Sequence, residues 1–255
     1  MNSGFENVKE YLDYKAAFYN NSWFVEEDPV SVPHRYTNSS DIEISGLLTA
    51  LISWGKRKSI IQSANRLMDL LDDSPYEFVI NHNSADLQKL KPWVYRTFNS
   101  TDLCEMISAL KTIYIHSQSL ESLFTNRSIY DGLVYLRNAI FAQPHSKHLE
   151  KHISNVNAGA AAKRLNMFLR WMVRNDNKGV DFGIWKNISP ASLMMPLDVH
   201  SGRVARSLGL LKRKSDDWKA VEELTTVLRQ FDPDDPVKYD FALFGIGVYE
   251  GFRYI

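Results

Sequence analysis

Apolar residues recur along this chain at intervals of three and four, and no stretch alternates convincingly over several strands. Leu165, Phe168, Leu169 and Met172 follow i, i+3, i+4, i+7, and Val221, Leu224 and Leu228 keep the same spacing behind Asp216 or Asp217. Such spacing puts the apolar side chains on one face of a helix. Further faces come from Ile42, Ile44, Leu47, Leu48, Leu51 and Ile52 after Asp41 as cap, and from Ile60, Ile61, Ala64, Leu67, Met68 and Leu71. Leu103, Ile107, Leu110 and Tyr114 follow Thr101 or Asp102 as cap, and Leu133, Leu136, Ile140 and Phe141 make another face. The expected fold class is all-α. Breaks fall at Pro29–Pro33, Asp72–Pro75, near Pro92 and Pro144, at 175–196 and at Asp232–Pro236. The 175–196 stretch is the longest connection without periodicity, a kind of loop that often carries function.

Composition narrows the classes. With 255 residues, 44% of them hydrophobic, the chain can bury a sizeable core as one large or two small domains. Its single cysteine, Cys104, excludes a disulfide framework, a cysteine-ligated zinc site and a four-thiolate cluster. No apolar run reaches the roughly 18 residues of a spanning helix, and the start lacks an apolar signal core. The expectation is a cytoplasmic protein with no membrane role, and a monomer.

Thirty basic and thirty acidic residues sum to zero, which argues weakly against a nucleic-acid partner. The distribution says more. Residues 1–50 carry net −5, 51–143 net +1, 144–219 net +8 and 220–255 net −4. One contiguous stretch is therefore strongly basic.

Two segments in that stretch hold groups suited to chemistry. In G-A-A-A-K-R-L-N-M-F-L-R-W-M-V-R, residues 159–174, Gly159 precedes a strongly helical run. Helix-start N–H groups there suit a phosphate. Lys163 falls in the first turn, and Arg164 and Arg170 are placed to favour its neutral, nucleophilic form. Periodicity alone puts Lys163, Met167, Arg170 and Arg174 opposite the core stripe, as ordinary surface residues. In P-L-D-V-H-S-G-R-V-A-R-S-L-G-L-L, residues 196–211, Asp198 is placed to cap a helix. A carboxylate there also suits stabilising a cationic transition state or taking a proton. His200 is an adjacent polar group, and Arg203 and Arg206 are placed to reach phosphates.

Together these segments resemble the helix-hairpin-helix DNA glycosylase superfamily. G-A-A-A-K-R-L-N aligns with the family's G-V-G-R-K-T-A-N, keeping Gly159, Lys163 and Asn166 in register. P-L-D-V-H-S-G-R-V aligns with its V-D-T-H segment, keeping Asp198, His200, Arg203 and Val204. V-E-E-L at 221–224 and D-F-A-L-F-G-I-G at 240–247 resemble the closing helices of endonuclease III. The likeness covers about 155–250 with motifs and 41–70 loosely. Ala161 stands for the second hairpin glycine, and Asn157-Ala158 replaces the preceding L-P. The 35-residue step from Lys163 to Asp198 is similar to the archaeal 8-oxoguanine glycosylase group, as are K-R-L-N-M-F-L-R-W-M and V-D-F-G-I-W. The whole chain also resembles a bacterial family of unassigned function that shares D-P-V-S-V-P-H-R at 28–35.

The resemblance implies a two-lobed glycosylase-like unit. One lobe would span about 41–143, the other about 1–40 plus 144–255. It implies double-stranded DNA with a damaged base as partner, an oxidised purine such as 8-oxoguanine as first substrate, and no cofactor. Lys163 would be the nucleophile and Asp198 its assistant. Gly159, Ala161, Arg164, His200, Arg203 and Arg206 would meet DNA. In the loop I-S-W-G-K-R-K-S-I, 52–60, Lys56 and Arg57 would bind phosphate and Trp54 would stack on a base. Trp185, and His34 beside Asp28 and Arg35, are further candidates for the base pocket. His145, His148 and His152 share a metal-like spacing, but only Glu150 accompanies them and on another face, so no metal is expected. Two alternatives stay open: a non-catalytic nucleic-acid-binding module, favoured by Ala161, and a helical protein-interaction scaffold, favoured by the neutral total charge.

Overall fold

The computed structural model describes residues 7–251, and these contain twelve α-helices and no strand, only the isolated bridges Tyr95–Phe98 and Ala160–Asp217. None of the helices is long and apolar enough to cross a membrane. The chain divides into two compact units, one drawn from the described parts of Met1–Phe24 and Val156–Ile255, the other from Val25–Asn155.

The Val25–Asn155 unit is built on α3 (Ser39–Leu51), α4 (Arg57–Leu70), α5 (Pro75–Asn81), α6 (Ser84–Lys89), α7 (Ser100–Ser117) and α8 (Ile129–Ile140). Ile44, Leu47, Leu48 and Leu51 of α3 are fully buried. So is most of Glu43, and its charge is met by Tyr114 Oη and Ser119 Oγ, each donating at 2.6 Å, and by Leu120 N–H at 2.9 Å. A buried carboxylate needs such donors to persist. The cap of α3 is Asn38 rather than the expected Asp41. Asp41 instead accepts from Tyr76 N–H at the start of α5, 2.9 Å away. Likewise α7 is capped by Asn99, in a reciprocal box with Asp102. Neither Thr101 nor Asp102 is the cap, because the periodic apolar positions begin a turn inside the helix.

The other unit holds α1 (Val8–Tyr19), α9 (Lys163–Val173), α10 (Val199–Ser207), α11 (Trp218–Phe231) and α12 (Tyr239–Tyr249), while α2 (Ser22–Glu27) runs across the division. Helix α12 is its centre, with Phe241, Ala242, Leu243 and Ile246 wholly buried. It packs against α1 and α10. Gly245 admits the Tyr19 ring of α1, since a Cβ there would lie 2.2 Å from Tyr19 Cδ2.

The aperiodic 175–196 segment is packed chain, not an open loop. Val180, Asp181, Trp185, Leu193 and Met195 are buried. Its Phe182 and Trp185 N–H groups donate to the Trp171 and Met172 carbonyls at the end of α9, at 2.8 and 2.9 Å. Met195 N–H donates to Thr225 Oγ1 at 3.1 Å, and Arg229 donates to the Ala191, Ser192 and Leu193 carbonyls. Backbone groups are thus satisfied without a repeating ladder, which is why no period marks the segment.

Candidate active site at two helix starts

Helix α9 begins at Lys163 after a tight turn. Gly159 has φ +83°, and Ala162, the N-cap, has φ +50°. A non-glycine residue in the left-handed region stores strain of about 1–3 kcal/mol, a feature frequent at functional sites. The turn is held by Trp218 N–H donating to the Gly159 carbonyl at 2.9 Å and by Asn166 Nδ2 donating to the Ala161 carbonyl at 3.1 Å. No side chain caps α9, and a single 3-10 turn, Val156–Ala158, precedes the Gly159–Ala162 turn.

Helix α10 begins beside it. Asp198 is its N-cap, accepting from His200 and Ser201 N–H at 2.9 and 3.0 Å through Oδ1, while Ser201 Oγ accepts from Asp198 N–H at 2.9 Å. That leaves Oδ2 turned to Lys163, whose Nζ is 3.8 Å away. Both side chains are one-quarter exposed. Met167 is buried, with its sulfur 3.6 Å from Nζ. The amine and carboxylate therefore share one partly desolvated, solvent-open spot formed entirely within one compact unit.

Beneath this pair lies a buried ionic network that periodicity misplaced. Met167, Arg170 and Arg174 are at most 7% exposed, so the surface reading of that face is corrected. Arg170 pairs with Asp181 at 3.2 Å and with Asp240 at 2.5 Å. Arg174 pairs with Asp176, Asp181 and Asp235 at 2.7, 3.1 and 2.8 Å. Burial pulls the Arg174 pKa down, but the attraction of Asp181, Asp235 and Asp176 outweighs it and raises the value. Burial pushes Asp240 up to about 6, against the pull of Arg170 and Lys163 and with the push of Asp198. Arg170 is thus neutralised by two carboxylates and does not act on Lys163 as a bare cation. Asp240 is the group the sequence reading missed. Its only signal was an acidic residue inside an otherwise apolar run.

The remaining candidates divide. Gly159 is open, with no atom within 4 Å of where a Cβ would stand, and Ala161 is half-buried beside it. His200 and Arg203 are exposed on α10. Arg206 is not available as a phosphate ligand: it is held by Asp216 at 2.6 Å and by the Arg213 carbonyl at 2.7 Å. Arg164 is half-buried, and burial lowers its pKa to about 10. Trp185 is 2% exposed with its ring edge-on to Phe168 at 5.5 Å, so it is a core residue with no face to offer a base. Trp54, Lys56, Arg57 and His34 belong to the other unit. Trp54 is half-buried between Tyr95 and His152, while Lys56 and His34 are exposed and Arg57 is half-buried. The histidines also separate, since His148 and His152 meet Asp102 and His145 does not.

No curated protein and no solved structure matches the chain. A family model described as "Protein of unknown function (DUF2400)" matches residues 28–249, across both units and both helix starts, and the chain belongs to that family.

Proposed function

We propose that the chain is a DNA glycosylase with lyase activity that removes a damaged base, an oxidised purine such as 8-oxoguanine being the first candidate. The observation that carries this is the 3.8 Å approach of Lys163 Nζ to Asp198 Oδ2, each at a helix start and each partly exposed. An amine beside a carboxylate, on a partly apolar floor, suits nucleophilic displacement at a sugar carbon.

In this reading the nucleotide is extruded from the duplex, which costs a few kcal/mol. The neutral Lys163 amine attacks the anomeric carbon, the bond to the base breaks, and the base leaves with the bonding pair. Asp198 stabilises positive charge developing on the sugar and accepts the amine proton. Asp198 passes that proton to the ring oxygen as the sugar opens to a Schiff base, and the carboxylate then takes a C2′ proton as β-elimination breaks the C3′–O bond and the 3′ phosphate leaves. The strained turn at Gly159–Ala162 and the uncapped start of α9 suit a backbone phosphate, and the exposed Arg203 suits another.

Borohydride reduction with abasic and lesion-bearing duplexes is the test. A covalent adduct is expected with the native protein and none with Lys163→Ala. Asp198→Asn separates chemistry from folding. Asparagine caps a helix as well as aspartate does, so stability should change by only a few tenths of a kcal/mol, while trapping slows about 10²- to 10⁴-fold. Absence of an adduct across the panel, or one that survives Lys163→Ala, would overturn the reading.

A further inference from the structure

Asp102 and two histidines converge in the Val25–Asn155 unit, away from the residues just discussed in chain and in compact unit. Asp102 stands in the first turn of α7, and His148 and His152 flank the 3-10 turn Leu149–Lys151. That turn breaks the helical face on which three histidines would have aligned. His145 leaves the group. Its Nδ1 lies 2.8 Å from the Gln143 carbonyl, its Nε2 is 3.6 Å from Glu150, and its ring stacks on Phe141. The carboxylate missing from the local sequence arrives instead from 46 residues away.

The geometry is close to a ligand set. His148 Nδ1 is 2.8 Å from each oxygen of Asp102, and His152 Nε2 is 3.7 Å from Oδ2. One donor atom from each of the three residues lies within 4.8 Å of the others. Ligand atoms of a tetrahedral zinc ion, bonded at about 2.0–2.1 Å, stand about 3.3 Å apart. Movements of a few tenths of an ångström to about one ångström would bring the three atoms onto one ion.

The supporting residues are also in place. Asp102 is fully buried, and one of its oxygens is fixed by Asn99 N–H at 2.9 Å. The His152 ring is clamped between Trp54, stacked at 5.9 Å, and Phe98, edge-on at 4.7 Å. Such outer partners orient ligands and hold affinity. The His148 side chain is 39% exposed and gives an ion its way in. Two imidazoles and one carboxylate, without thiolate, suit a borderline first-row ion.

We propose that Asp102, His148 and His152 bind a divalent transition-metal ion of the Zn²⁺ type. The site stands independently of the glycosylase reading.

Tag-free protein, stripped with chelator and titrated calorimetrically with Zn²⁺, tests it. One equivalent per chain is expected. His148→Ala, at a part-exposed position, should weaken binding at least about tenfold while far-UV circular dichroism shows the native helix content, and His145→Ala should leave binding unchanged. Co²⁺ in place of Zn²⁺ should give a visible absorption band that is lost in His148→Ala. Because Trp54 stacks on a ligand, Zn²⁺ should also change tryptophan emission, and Trp54→Phe should remove that change. Failure of the native protein to bind Zn²⁺, or binding that His148→Ala leaves unaltered, overturns the proposal.

Discussion

Asp240 sits in the interior as an acid inside a helix that is otherwise apolar, and its ionisation opposes folding. Its folded pKa of about 6 lies above the ordinary aspartate range, with burial as the leading cause. Between roughly pH 4 and 6 the folded state therefore binds more protons than the unfolded chain, so stability falls as pH rises through that window. The penalty is complete above about pH 6 and relieved near pH 4. Two pKa units correspond to about 3 kcal/mol as an upper figure, reduced by the partners that keep the carboxylate paired. Urea midpoints measured from pH 4.5 to 7 should show this slope in the native protein, and Asp240→Asn should reduce it, leaving the part carried by Asp181, which burial also pushes up. A slope equal in both proteins would show that another group titrates there. At this scale the sequence was legible for the placing of Lys163 and Asp198 at two helix starts, which the structure brings within 3.8 Å of each other. It was illegible for Arg170 and Arg174, because helical phase alone cannot say that a charged face meets Asp181 from the connection that follows and Asp235 and Asp240 from distant chain.

At the scale of elements, period was a good guide wherever a helix has one wet side. Helices α4, α8, α10 and α11 have that form, and most of their apolar positions are the buried ones, whereas α9 is buried all round from Leu165 to Val173. It was a poor guide to α12, which is apolar nearly all round and so carries no phase, and to the short α5 and α6. Caps were misread where two acceptors compete, as at Asn38 and Asp41, since only tertiary structure decides which helix a side chain serves. The join of α1 to α12 rests on shape. Tyr19 enters the notch at Gly245, stacks on Tyr249 at 5.6 Å and donates to Glu250 at 2.6 Å. Gly245→Ala should therefore destabilise the protein by about 1–3 kcal/mol through overpacking, although alanine is the better helix former. Tyr19→Leu in the same background should recover part of that loss by removing the ring edge. Denaturant unfolding of the two single variants and the double variant measures the coupling, and additive losses would place the clash elsewhere.

Across the whole molecule the charge distribution changes meaning once the pairs are known. The +8 of residues 144–219 is a difference between 14 basic and 6 acidic residues. Asp176, Asp181, Asp198, Asp216 and Asp217 each hold a cation from that same block. The charge left to act at a distance is carried instead by exposed residues such as Arg203, Lys212, Lys214 and Lys219, which form no ion pair among the described residues. Lys214 and Lys219 lie within three residues of Asp217, whose bridge to Ala160 ties the α10–α11 connection to the turn before α9. If this unit binds a duplex as proposed, each cation that neutralises a phosphate contributes about 0.9 to the slope of log affinity against log salt. Lys214→Ala should then lower the slope by about 1, as should Lys219→Ala. Arg206→Ala, whose guanidinium already serves Asp216 and the Arg213 carbonyl, should leave it unchanged. Fluorescence anisotropy of a labelled duplex between about 50 and 200 mM salt reads all three. A slope that falls with Arg206→Ala but not with Lys214→Ala would mean that the pair at Asp216 opens on binding, and would place the duplex at the C-terminal end of α10.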